Sequence, residues 1–115
     1  MLKLQYQKEL PYIHIVKDEE VLGYISSMNG YLSVSPALRE MLLEANIFNI
    51  YDWVLTQNLY GDDREYFYTS DIRRTFDAIT YIGRLAKVLQ LDLHVEDEVS
   101  SLLNRLTSKG VNAFQ

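Results

Sequence analysis

The chain has 115 residues, 48 % of them hydrophobic and 23 % charged, values that suit one folded domain over residues 1–115 with a single core. It contains no cysteine, which excludes disulfides, thiolate metal sites and a cysteine nucleophile and points to a reducing, cytoplasmic setting. A net charge of −5 opposes generic binding to a phosphate backbone, and no apolar run approaches the roughly 20 residues of a membrane span.

The opening stretch MLKLQYQKELPY lacks the apolar core of a secretion signal. Within it Leu2, Leu4 and Tyr6 alternate with Lys3, Gln5 and Gln7, the period of a half-buried strand. A second strand is predicted over residues 12–17, a three-residue polar turn at Asp18, Glu19 and Glu20, and a third strand over residues 21–27. Asn29-Gly30 favours a two-residue type I′ turn into a last strand at residues 31–35. Those loop lengths place Ile13 opposite Ile25, Ile25 opposite Val34 and Met28 opposite Tyr31. One face then carries Ile13, Ile15, Val21, Ile25, Leu32 and Val34. The other carries Tyr12, His14, Val16, Leu22, Tyr24, Met28 and Tyr31, and is also largely apolar or aromatic.

Ser35-Pro36 predicts a helix start, with Leu38, Met41, Leu42 and Ala45 as its apolar stripe and Asn46 at its end. Asn49 is expected to cap a second helix over residues 50–60, buried around Trp53 and stopped by Gly61. Residues 61–70, GDDREYFYTS, form a polar, aromatic connection. The longest periodic segment follows at residues 71–90. Ile72, Phe76, Ala78, Ile79, Ile82, Gly83, Leu85, Ala86 and Leu89 fall on one half of its helical wheel, and Arg73, Asp77, Thr80, Arg84 and Lys87 on the other. After a short extended link, residues 95–109 close as a helix with an acidic first turn. The expected architecture is α+β: an N-terminal antiparallel β-meander of three or four strands followed by about four helices packed on one face.

The chemistry-bearing motifs are few. Asp92, His94 and Glu96, with His14 elsewhere, have a formal metal-ligand spacing, but the acids serve equally as the first turn of the last helix. Asp62-Asp63-Arg64-Glu65 lacks the spacing and glycine of a calcium loop. No phosphate loop or nucleophile elbow is present, so neither catalysis nor a cofactor is expected. A helix-turn-helix reading fails because the candidate reading segment, NIYDWVLTQNLY, holds no basic residue.

Two surfaces carry the binding expectation. One is the second face of the meander, through Tyr12, His14, Tyr24, Met28 and Tyr31. The other is the connection YGDDREYFY, through Tyr60, Asp62, Asp63, Glu65, Tyr66 and Tyr68. From Glu40 to Asp63 there are five acids and no lysine or arginine, which suits a partner protein with a basic surface. The leading expectation is a small acidic protein-binding module of the inhibitor or immunity type that phages and bacteria encode. The alternative is a homo-oligomeric nucleic-acid regulator that uses Arg73, Arg84 and Lys87 brought together by dimerisation. A third reading is an accessory subunit or chaperone of a larger complex.

Overall fold

The alternation of the first residues is realised as antiparallel strands β1 (Leu2–Gln7), β2 (Tyr12–Lys17) and β3 (Glu20–Ser26) in the computed structural model, which describes residues 1–7, 12–27, 31–57, 65–69, 72 and 74–109. There follow β4 (Leu32–Val34), α1 (Pro36–Glu44), a 3-10 turn (Ile50–Asp52), β5 (Val54–Gln57), β6 (Glu65–Thr69), α2 (Thr75–Val88), β7 (Leu93–Val95) and α3 (Asp97–Lys109). The strands form one sheet in the order β5-β6-β4-β3-β2-β1-β7. All neighbours are antiparallel except β1 and β7, which run parallel. The fold is therefore α+β, as the pattern predicts, but with a seven-stranded mixed sheet and three helices among the described residues.

Residues opposite one another across strands share a face. Leu2 and Leu4 of β1, Ile13 and Ile15 of β2, Ile25 of β3, and Leu32 and Val34 of β4 are all fully buried on one of them. Leu38 and Leu42 of α1, Ala78, Ile82 and Leu85 of α2, and Val99 of α3 complete the same cluster. Described helices thus cover one face of the sheet.

The hairpin register differs from expectation in instructive ways. Ile13 does lie opposite Ile25. The turn, however, is two residues long: Asp18 and Glu19 take φ of 51° and 67°, the left-handed pair of a type I′ turn. A bulge at Ile15/Val16 then restores the predicted pairing. It also brings Val21 opposite Val16 and leaves Leu22 in the helix-side core, exchanging the faces expected for these two residues. Between β3 and β4, Ile25 pairs with Leu32 rather than Val34, and the ladder closes with the Ser26 N–H donating to the Tyr31 carbonyl at 2.9 Å. The offset is two residues, an even number, so the faces of β4 are unchanged. Met28, Asn29 and Gly30 lie outside the described residues.

The predicted helix over residues 50–60 is not formed. Asn49 N–H donates to the Asp52 carboxylate at 2.6 Å and supports only a single 3-10 turn. Trp53 then leads into β5, which suits the β-branched and aromatic content of this stretch. Trp53 is buried, its ring 5.1 Å from Phe48, which lies 5.0 Å from Tyr81 of α2. The expected connection at 61–70 contains β6, which inserts between β5 and β4. The expected link before the last helix is β7, paired with β1 at Leu2↔Leu93.

Helix ends follow the sequence closely. Ser35 Oγ accepts from Leu38 N–H at 3.3 Å, with Pro36 in the first helical position. Both α1 and α2 end in a Schellman motif. Asn46 has φ of 58°, with Asn46 N–H on the Leu43 carbonyl and Ile47 N–H on that of Leu42. Gln90 has φ of 56°, with Gln90 N–H on Lys87 and Leu91 N–H on Ala86. The wheel also misplaced the start of α2: Thr75 is buried and donates to the Ser26 carbonyl at 3.1 Å, while Phe76 is exposed. No helix among the described residues is long and apolar enough to cross a membrane.

Two substitutions test this packing by chemical denaturation. A Cβ on Gly23 would stand 2.6 Å from the Ser33 carbonyl oxygen and 3.3 Å from Leu38 of α1. Gly23→Ala should therefore destabilise by about 2–3 kcal/mol, because a backbone atom cannot yield as a side chain can. Gln90→Gly should stabilise by roughly 0.5–1 kcal/mol through relief of the left-handed conformation at the end of α2.

Candidate functional site

On the sheet face opposite the helices, alternate residues of β2, β3 and β6 bring aromatic rings together. Tyr24 is the hub. Its ring centroid lies 6.1 Å from Tyr12, 4.8 Å from His14 and 5.7 Å from Tyr66, each in an edge-on arrangement. Ser33, the small residue opposite Tyr24 on β4, leaves room for Tyr66 to reach across from β6. Tyr66 and Tyr68 of the second expected surface thus share a sheet face with Tyr12, His14 and Tyr24 of the first, because β6 is a strand of the sheet.

Burial sorts the members of that layer. Tyr66 is fully buried, and Tyr24 and His14 are 6 % and 8 % exposed, so in this conformation these three are not offered to a partner. Tyr12 and Tyr68 are half-buried, and Tyr31 and Glu65 are exposed. Met28, Tyr60, Asp62 and Asp63 lie outside the described residues. Burial pushes the His14 pKa down, and its Nε2 has no hydrogen-bond partner. Beside this cluster Lys3, Gln5, Val16, Asp18, Glu19 and Val21 line an open concavity of about 470 Å³. A hydrogen bond from Lys17 holds the Asp18 carboxyl below its ordinary range.

One part of the surface, on α1 and β6, is acidic. Glu40 and Glu44 of α1 and Glu65 of β6 are exposed, and α1 packs on β6. Arg39 is the one cation on α1, β5 and β6 among the described residues. It is turned inward, 4.4 Å from the centroid of the Phe67 ring and 3.4 Å from Glu40. Two outward cations of the helix layer sit on α2. Arg84 and Lys87 are exposed and, with Asp92 and Leu93, line a second open concavity of about 540 Å³ between α2 and β7. Arg84 lies over the Tyr81 ring at 5.0 Å. Asp77 pairs with Arg74 at 2.8 Å, and Arg73 is outside the described residues.

The acids near His94 have backbone duties. The Glu96 carboxylate accepts from Tyr6 N–H at 3.3 Å, and the Asp92 carbonyl accepts from Leu2 N–H at 2.9 Å. Among the described residues no group of three or more His, Asp or Glu side chains converges as a metal site would require.

Sequence reasoning missed one surface altogether. Ile50, Tyr51, Val54 and Leu55 are 57 %, 94 %, 51 % and 51 % exposed. The helical reading placed them in a buried element. The available signal was the β-rich run WVLTQ, too short for periodicity to separate strand from helix. The chain matches no protein-family model, no curated protein and no solved structure.

Buried His14 gives a pH-dependent stability with a definite sign. Its folded-state pKa lies below the ordinary 6.5, so the unfolded chain binds the proton more readily. Its contribution is complete above pH 6.5 and declines as pH falls through 6.5 toward the folded-state value. Denaturation at pH 7.5 and 5.5 should show a smaller loss for His14→Phe than for the unmodified protein.

Proposed function

We propose that the protein is a small acidic binding module of the inhibitor or immunity type, which acts in the bacterial cytoplasm by occupying a basic surface of another protein and performs no catalysis. The observation that carries this reading is the acidic surface of α1 and β6. Glu40, Glu44 and Glu65 are exposed on these two packed elements, where the single described cation, Arg39, is folded onto Phe67. Carboxylates displayed without interspersed cations attract a basic patch and speed encounter with it. The exposed Tyr31 and half-buried Tyr12 and Tyr68 supply aromatic area of the kind that anchors interfaces.

A second reading has its own observation. Arg84 and Lys87 are exposed along α2 beside an open concavity. Multiplied by oligomerisation, such a stripe would engage nucleic acid, with affinity falling steeply as salt rises.

Affinity capture from bacterial lysate at low and moderate salt separates the two. The binding-module reading expects a stoichiometric protein that persists at moderate salt. Glu40→Lys, Glu44→Lys and Glu65→Lys together should then weaken its capture by at least about 10-fold, since like charges replace complementary ones. Undiminished binding by the triple variant would defeat the acidic-surface reading. Nucleic acid alone, released as salt rises, would favour the α2 stripe.

A further inference from the structure

We propose that the outer edge of β5 pairs antiparallel with the same edge of a second copy of this chain, joining two sheets across a two-fold axis. β5 ends the strand order, and among the described residues no strand pairs outside it. An open edge presents a row of N–H and C=O groups, which proteins normally shield with lysine, proline or a bulge. Val54–Gln57, sequence VLTQ, holds no lysine or proline, and no bulge interrupts its pairing with β6. The opposite edge is different: β7 has three residues and leads directly into α3.

Exposure indicates what would cover the edge. Val54 and Leu55 point to opposite faces of the sheet, and each is 51 % exposed. A helix could cover one of them, whereas a continuing strand covers both. Ile50 and Tyr51, just before β5, extend the same apolar surface. With an exposed tyrosine contributing about 150–250 Å² per copy, these side chains bring the buried total to on the order of 1,000 Å², the lower range of a specific interface.

Charge selects the second copy as occupant. Trp53 to Gln57 carries no charge, and the Asp52 carboxylate is held by Asn49 N–H at 2.6 Å. A two-fold antiparallel pair sets the residue at the axis opposite its own counterpart and every other residue i opposite a residue j of the same strand, so an uncharged strand meets itself without repulsion. A basic peptide would find no acid along this edge. The acids of α1 lie over β6 and β4, one or two strands back. Roughly 14 Å would separate β6 from its copy at ~4.8 Å per strand, beyond the ~8 Å screening length of physiological salt.

Sedimentation equilibrium of the full chain from about 1 to 200 μM tests the pairing. The expected result is a rise from 13.4 kDa toward twice that mass, favoured by added salt because both copies are acidic. Leu55→Lys should raise the dimer dissociation constant at least 10-fold while circular dichroism and the unfolding midpoint hold. Because the chain has no cysteine, Val54→Cys and Leu55→Cys can be oxidised singly. At least one should give a covalent dimer, whereas Val88→Cys, 53 % exposed on α2, should not. A monomer at every concentration, a dimer indifferent to Leu55→Lys, or equal crosslinking at position 88 would overturn the pairing. None of these outcomes would touch the binding-module reading, which the lysate capture decides.

Discussion

The burial of α2 against the sheet is the contact on which the rest of the chain depends. Ile82 and Leu85 are fully buried, and Ile72 just before the helix is nearly so. Each contributes about 1.5–3 kcal/mol on burial. Ala78 and Ala86 are buried small residues on the sheet side of the helix, and Leu93 of β7 packs at ordinary contact distance from Gly83, 3.9 Å from where a Cβ would stand. α2 carries the chain from β6, in one half of the sheet, to β7 at the far edge. Its Schellman end at Gln90 turns Leu91 back onto the core and sets up the parallel pairing of β7 with β1. Without this crossing the outer N–H groups of Leu2 and Tyr6 would lose their partners, Asp92 and Glu96.

The two faces of the sheet divide the chemistry. The helix side is mainly aliphatic, with Leu, Ile and Val packed beneath the three helices and the Trp53, Phe48 and Tyr81 rings clustered beside α2. The other side is aromatic, built around Tyr24 with its ring neighbours Tyr12, His14 and Tyr66. The other features suited to recognition lie elsewhere: acids on α1 and β6, cations on α2, and the apolar edge at β5.

Elements with a local signal were legible in the sequence. Alternation marked β1, a β-rich run marked β2, the polar turn after it marked β3, Ser35-Pro36 marked the start of α1, and Asn46 marked its end. The wheel of residues 71–90 found the buried side of α2 apart from its first turn. What local pattern could not supply was long-range pairing. β6 shows no burial alternation, since Tyr66 and Thr69 on opposite faces are both buried, and its acid and tyrosine content resembles a loop until β4 and β5 flank it. β5 has four residues, too few for a strand period to outweigh a helical one. The turn at Asp18-Glu19 was expected one residue too long, because glutamate rarely takes the positive φ that a two-residue turn needs at Glu19. At the candidate site the tyrosines were identified, but the burial of Tyr66 required β6 to be in the sheet.

The parallel pairing of β1 with β7 joins residues about as far apart in the chain as this fold allows: the Tyr6–Glu96 hydrogen bond spans 90 positions. During synthesis β1 can zip onto β2 as soon as both emerge, since only a short connection separates them. Its other side must wait until α2 and β7 have left the ribosome. At translation speeds of ~5–20 residues per second, that exposes one flank of the first strand for several seconds. Lys3, opposite His94 in the finished ladder, places a charge on that flank throughout the wait. Lys3, half-buried in the folded protein, is thus the residue type that discourages sheet addition at an open strand edge.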